Sequence, residues 1–232
     1  MNAVYRHLSD FVSLFFPEVC AGCGASLVSQ ESVLCSGCIF HLPYTNFHLD
    51  KSNRVARQFW GRVTFRQCSA YLYFSKGSKV QNLMHQLKYN NRPEVGFKLG
   101  DMYGKDLKEA SGFEKPDLII PVPLHPARQR KRGYNQSDYF AEGLSKQLAC
   151  PFNNRSLKRG HFTESQTRKS RFVRYENMKD VFMVNEPELL KDKHILLVDD
   201  IITTGATIES CANALLTISN TKISIASIAF TE

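Results

Sequence analysis

Apolar positions along the chain fall into two kinds of pattern. Short runs of β-branched residues and leucine mark strands, and spacings of three and four mark helices. The clearest segment is Ile195-Leu196-Leu197-Val198, a buried strand, followed by Asp199-Asp200, Ile201-Ile202 and a small hydroxyl-rich turn, Thr203-Thr204-Gly205-Ala206-Thr207. Helix formers continue from Ala206 to Leu216, so the whole predicts strand, loop, helix. A second unit of this kind starts at Asp117. A strand enters a turn stiffened by Pro121 and Pro123, a basic loop spans His125 to Gly133, and a helix from Gln136 to Leu148 sets Phe140, Leu144 and Leu148 on one face. Ala70–Phe74 predicts a strand. Val80, Leu83, Met84 and Leu87 predict a helix that Asn90-Asn91 ends, with Lys88 at its C-terminal end, and a further helix runs from about Val95 to Glu109. Lys222–Phe230 is the last strand. From residue 70 the order is strand, helix, helix, strand, helix, irregular stretch, strand, helix, strand, which predicts an α/β fold with a parallel sheet.

Outside this repeat the pattern weakens. Leu8, Phe11, Val12 and Phe15 share one helical face over residues 4–16, and Pro17 ends it. That helix either packs on the rest of the protein or serves as a docking or membrane-surface helix, with only Arg6 and His7 as basic groups on its polar face. Residues 44–66 read as a linker or loose hairpin. Residues 155–180 are basic, polar and weakly periodic; so long a stretch within a compact domain is a functional lid or is disordered.

Composition narrows the choices. A chain of 232 residues, 43% of them apolar, can build one moderate domain with a small appendage. No run approaches the ~18 apolar residues that span a bilayer. Asp10 interrupts the first apolar segment and no small-residue cleavage site follows, so the expected compartment is the cytoplasm, where thiols stay reduced. The net charge is +8, and eleven of the 30 basic residues form two clusters: Arg128, Arg130, Lys131 and Arg132, then Arg155, Lys158, Arg159, Arg168, Lys169, Arg171 and Arg174. Such clustering points to an anionic partner, polyphosphate or nucleic acid.

Two candidate sites follow from residue chemistry. Free backbone N–H groups and the dipole at a helix N-terminus favour an anion, so Thr203 to Thr207 predict a phosphate site. Asp199 and Asp200, one step before it, can accept hydrogen bonds from a sugar diol. The GxxxxGK[ST] pattern of a P-loop is absent. Near the N-terminus, Cys20-x2-Cys23 and Cys35-x2-Cys38 form two knuckles whose four thiolates suit a closed, structural Zn²⁺ site. His41 and His48 are alternative ligands, though four thiolates suffice. Cys211 reads as a buried small hydrophobe.

The segment from Ile195 to Thr207 closely resembles the phosphoribosyl pyrophosphate (PRPP) motif of type I phosphoribosyltransferases. Pro121-Val122-Pro123-Leu124, with Arg128, Arg130 and Arg132-Gly133-Tyr134-Asn135-Gln136, is similar to the pyrophosphate-side segment of the ComF family. Ser165-Gln166-Thr167, Arg174, Asn177 and Phe182 resemble that family's lid; Leu87-Lys88-Tyr89 and the four-cysteine element after Phe16-Pro17 also fit. The resemblance runs through essentially the whole chain, in order. The chain departs from it at Arg168-Lys169-Ser170, where the family is usually more apolar.

The resemblance implies a type I phosphoribosyltransferase-like parallel sheet with a flexible lid, plus a small zinc-ribbon-like domain. The expected division is 1–50 for the N-terminal helix and zinc-binding domain, 51–69 for a linker and 70–232 for the phosphoribosyltransferase-like domain. It implies PRPP and Mg²⁺ as ligands, with phosphoribosyl transfer to an unidentified acceptor and an association, in some members, with DNA uptake in competence. In that scheme Asp199 and Asp200 hold the ribose, Thr203, Thr204, Gly205, Ala206 and Thr207 bind the 5-phosphate, and Arg132, with Arg128 and Lys88, neutralises pyrophosphate. Gln166, Arg174 and Asn177 act from the lid. The competing expectation is a non-catalytic protein that binds PRPP, a nucleotide or single-stranded DNA, with Tyr134 and Phe162 as stacking groups. A third is a scaffold that joins competence-machinery proteins.

Overall fold

The structure, a computed structural model, describes residues 17–160 and 182–231. The helix expected over 4–16 and the lid residues Gln166, Arg174 and Asn177 lie outside the described residues.

The apolar runs form a four-stranded, all-parallel sheet of β1 (Cys68–Phe74), β2 (Leu118–Pro121), β5 (His194–Ile202) and β6 (Lys222–Thr231), in the order β1-β6-β5-β2. The central strand β5 is apolar at successive positions because both its faces are covered, as parallel sheets require. Leu196 and Val198 enter one core, while Ile195 and Leu197 enter the other. The first core is closed by α3 (Lys79–Tyr89), α4 (Glu94–Glu109) and α6 (Gln136–Leu148), through Leu83, Leu87, Leu99, Tyr103, Phe140 and Leu144. The second is closed by α2 (Arg54–Phe59) and α7 (Ala206–Leu216), through Val55, Phe59, Ile208, Cys211 and Leu215.

Helices α4 and α6 cross backbone to backbone. A Cβ at Gly100 would stand 2.3 Å from Phe140 O, and one at Gly143 would stand 2.2 Å from Phe97 O. No side chain fits at that crossing.

Both edges of the sheet are partly occupied. Residues 43–45 run antiparallel to β1, with Tyr44 bridged to Leu72, and the backbone at 151–153 pairs in parallel with β2 at Ile119. Such pairing blunts the unpaired donors and acceptors of an edge strand. Beyond 153, β3 (Leu157–Arg159) pairs antiparallel with β4 (Phe182–Val184).

Two stretches differ from the sequence reading. The pattern-poor segment 44–66 contains α2, started by Asn53, whose side chain accepts from Ala56 N–H at 3.0 Å. The basic loop at His125–Gly133 contains a seven-residue helix, α5 (Pro126–Arg132), after the short helix α1 (Ser36–Phe40) has ended the cysteine element far upstream. Pro126 suits the first position of a helix, the run Ala127-Arg128-Gln129-Arg130-Lys131-Arg132 is made of good helix formers, and the polar character of that run hides this from a reading of apolar period.

Candidate functional site

The sheet topology dictates where a ligand can sit. From β2 the chain passes through α6 on one face and outward to the 151–153 edge. From β5 it passes through α7 on the opposite face to β6. The C-terminal ends of β2 and β5 therefore diverge, and the crevice between them is the switch point at which open α/β sheets bind ligands. Asp199 and Asp200 lie near the C-terminal end of β5, two residues before the loop 203–205.

The acid pair is held by its surroundings. Asp199 Oδ1 accepts from the Asp200 backbone N–H at 2.8 Å and from Ser137 Oγ, on α6, at 3.2 Å. Asp200 Oδ2 meets Lys88 Nζ, in the last turn of α3, at 2.7 Å. Burial and then the neighbouring Asp200 charge push the Asp199 carboxyl up to about 7, against the pull of the Asp200 N–H, Lys88 and Ser137. A carboxyl so placed stays partly protonated until a cation or a hydrogen-bonding ligand favours its anion.

Beyond the acids, Gly205 takes the left-handed conformation, φ 75° and ψ −2°, and caps α7. Glu209 N–H donates to Gly205 O at 2.9 Å, the bond that opens the helix. The N–H groups of Thr204, Gly205 and Thr207 meet no acceptor among the described residues. Thr203, Thr204 and Thr207 are exposed. This arrangement can hold a dianionic phosphate by backbone donors.

The predicted residues are not all gathered in one cluster. Lys88 joins the acids rather than standing among the arginines of α5. Arg132, the last residue of α5, lies over the Tyr89 ring at 5.7 Å, and Arg128 is exposed. Tyr134, a candidate stacking group, is only 8% exposed, and its hydroxyl donates to Leu87 O, which leaves little of its ring open to a base. Phe162 lies outside the described residues.

Sequence reasoning missed Ser137, which reaches Asp199, and a group on and just after α2. Gln58 and Arg62 bond to the loop at Thr203 and Thr204, and the Phe59 ring packs on Gly205. A signal was present: Asn53 as a cap, then Val55, Ala56 and Phe59 at helical spacing.

The four cysteines form a second site. The sulfurs of Cys20, Cys23, Cys35 and Cys38 all lie within 4.8 Å of one another, a grouping that could hold a metal such as zinc. The Cys35 backbone N–H points at Cys20 Sγ at 3.3 Å, and Cys38 N–H points at Cys35 Sγ at 3.3 Å. Burial raises Cys20, but N–H groups of Cys35, Cys23 and Gly22 outweigh it and draw the thiol down to about 6. His41 and His48 are engaged elsewhere: His41 Nδ1 lies 2.8 Å from Gly37 O, and the His48 ring packs on Tyr103. The element is fixed to α3 by Asn82 Nδ2, which donates to Gly22 O at 3.0 Å, and to the start of α4 by Arg92 Nη1, which donates to Val19 O at 3.2 Å.

Known proteins share parts of this sequence and fold. A model of the phosphoribosyl transferase domain family matches residues 135–231. The chain is 31% identical over 202 residues to the DNA utilization protein YhgH of Escherichia coli O157:H7, covering 85% of this chain and 84% of that one. It is 31% identical over 212 residues to competence protein F of Haemophilus influenzae, covering 87% and 92%. Among solved structures, the glutamine PRPP amidotransferase of B. subtilis, complexed with ADP and GMP, aligns at a TM-score of 0.44 and 18% identity over 62% of this chain and 30% of that one. The adenine phosphoribosyltransferase of Leishmania tarentolae aligns at 0.38 and 13% over 82% and 94%.

Proposed function

The chain belongs to the family of competence protein F and DNA utilization protein YhgH and has a type I phosphoribosyltransferase fold; on that premise we propose that it binds PRPP with Mg²⁺ and transfers the phosphoribosyl group to an acceptor. The observation that carries this reading is the placement of the Lys88–Asp200–Asp199–Ser137 network just before a loop whose Thr204 and Gly205 amides meet no acceptor among the described residues, at the switch point of the sheet.

In this reading the loop Thr203–Thr207 grips the 5-phosphate and Asp199 and Asp200 accept from the ribose hydroxyls. As the bond from the anomeric carbon to pyrophosphate breaks, positive charge grows on the sugar ring, and the two carboxylates favour it electrostatically. The acceptor nitrogen forms the new bond and releases its proton, and pyrophosphate leaves. Arg132 and Arg128 offset the charge of the leaving group. Lys88 holds Asp200 in place and keeps the acid pair from carrying two uncompensated charges. Carboxylates are hard oxygen donors of the kind Mg²⁺ takes, and the ion would offset pyrophosphate charge. Gln166, Arg174 and Asn177 would close over the sugar and exclude water. Cys20, Cys23, Cys35 and Cys38 would hold one structural Zn²⁺, leaving no position for substrate. No described helix is long and apolar enough to cross a membrane; a cytoplasmic location is part of this proposal.

A second reading rests on the exposed Arg128, Arg130 and Lys131 of α5 and on the relatives' names: a component that binds single-stranded DNA without turnover. One pair of assays separates the two. Pyrophosphate release from PRPP should require Mg²⁺ and fall at least about 10²-fold in an Asp199→Asn, Asp200→Asn variant. DNA binding through many phosphates should instead weaken steeply with salt and ignore that variant. Full turnover in the double variant would contradict the role given to the acids.

A further inference from the structure

Gln58, Phe59 and Arg62 meet the phosphate loop from outside the acid network. Gln58 Nε2 donates to Thr203 O at 2.6 Å. Arg62 Nη1 donates to Thr204 O at 3.2 Å and to Gln58 O at 3.1 Å. Its remaining nitrogens bond Glu209 of α7, with Nε at 3.1 Å. The Phe59 ring stands 2.7 Å from where a Cβ would project from Gly205. All four loop and helix partners lie more than 140 residues further along the chain.

The covalent geometry of the backbone turns these contacts into a statement about donors. A trans peptide carries its C=O and N–H on opposite sides. Holding Thr203 O toward α2 turns the Thr204 N–H away from α2. Holding Thr204 O toward Arg62 turns the Gly205 N–H away as well. Phe59 fills the α2 side of Gly205, so the loop cannot relax toward that helix. The result is two adjacent amides with no acceptor among the described residues, fixed before any ligand arrives.

We propose that Gln58 and Arg62 are positioning residues for the phosphate loop, and that they set the Thr204 and Gly205 amides to receive the 5-phosphate of a sugar phosphate. This rests on the sugar-phosphate reading of the site and adds how the loop is made ready. Arg62 acts through the loop, because its other nitrogens are committed to Glu209. Without the two pins, a short loop of small residues must be ordered at the moment of binding, and that ordering cost comes out of affinity.

The test uses the full chain and ribose 5-phosphate as probe, followed by amide NMR well below the melting temperature of each variant. In the wild type, the probe should shift the amide signals of residues 204–207. Gln58→Ala removes a pin without changing charge, and Arg62→Gln removes the other. Each should weaken the probe about tenfold and shift the ligand-free signals of Thr204 or Gly205. Arg62→Lys, which keeps a charged donor but not the planar fork, should recover part of the loss. Equal affinity in wild type, Gln58→Ala and Arg62→Gln would overturn the pinning while leaving the sugar-phosphate reading intact. No response of residues 204–207 in the wild type would overturn both.

Discussion

At the scale of single residues, the site turns on an acid kept away from its ordinary charge state. Asp199 is pushed up chiefly by burial and next by Asp200. A carboxyl whose folded value lies above its unfolded one favours the fold while protonated, and that advantage is lost as pH rises from about 4 through about 7. Asn keeps an oxygen for the Asp200 N–H and never ionises. In ligand-free protein, Asp199→Asn should therefore melt higher than wild type above pH 7, by roughly 1–3 kcal/mol, and match it near pH 4. Thermal melts across that range check this; a variant less stable at every pH would show that the carboxylate is held favourably. The same residue would be indispensable to turnover, so stability and activity should move in opposite directions.

At the scale of elements, tight packing carries the geometry. Ser137 reaches Asp199 only because α6 sits where α4 lets it, and α4 and α6 touch at Gly100 and Gly143. Gly143→Ala places a carbon 2.2 Å from Phe97 O. Relief requires the helices to part, so denaturant melts should show a loss of about 2–4 kcal/mol, whereas a change below about 0.5 kcal/mol would mean the crossing can yield. Elements of this kind were legible from the sequence where their period was strong. The β5 run, the Val80–Leu87 stripe of α3 and the Phe140–Leu148 stripe of α6 needed no structure to find. Helix α5 escaped because its residues are almost all polar and exposed, so no apolar period betrays it. Helix α2 escaped because it is short, although Asn53 marks its start. The acids and the threonine loop were readable as local chemistry. The contacts of Arg62 and Ser137 were not, since each joins residues far apart in sequence and only the fold brings them together. Tyr134 shows the reverse case: an aromatic beside a basic run looks like a stacking group, and the fold buries it against α3.

At the scale of the whole molecule, the cysteine element and the sheet share one core. Cys20, Leu34 and Cys38 belong to the same buried cluster as Leu83 and Leu87, and Leu87 precedes the lysine that holds Asp200. A closed metal site contributes directly to folding. Metal analysis should find about one zinc per chain, and a chelator should lower the melting temperature of the entire protein in a single transition. A Cys20→Ser chain that keeps its full metal content and its melting temperature would contradict the assignment.

The central claim is that the crevice between β2 and β5 holds a ribose carrying a 5-phosphate. It is tested most directly by melting the full chain with PRPP and Mg²⁺. A ligand bound only by the native state raises apparent stability, by about 2.7 kcal/mol at a hundredfold excess over Kd. Wild type should show a clear rise, and a folded Asp199→Asn, Asp200→Asn variant should show none. No rise in wild type, or the same rise in the double variant, would contradict the claim.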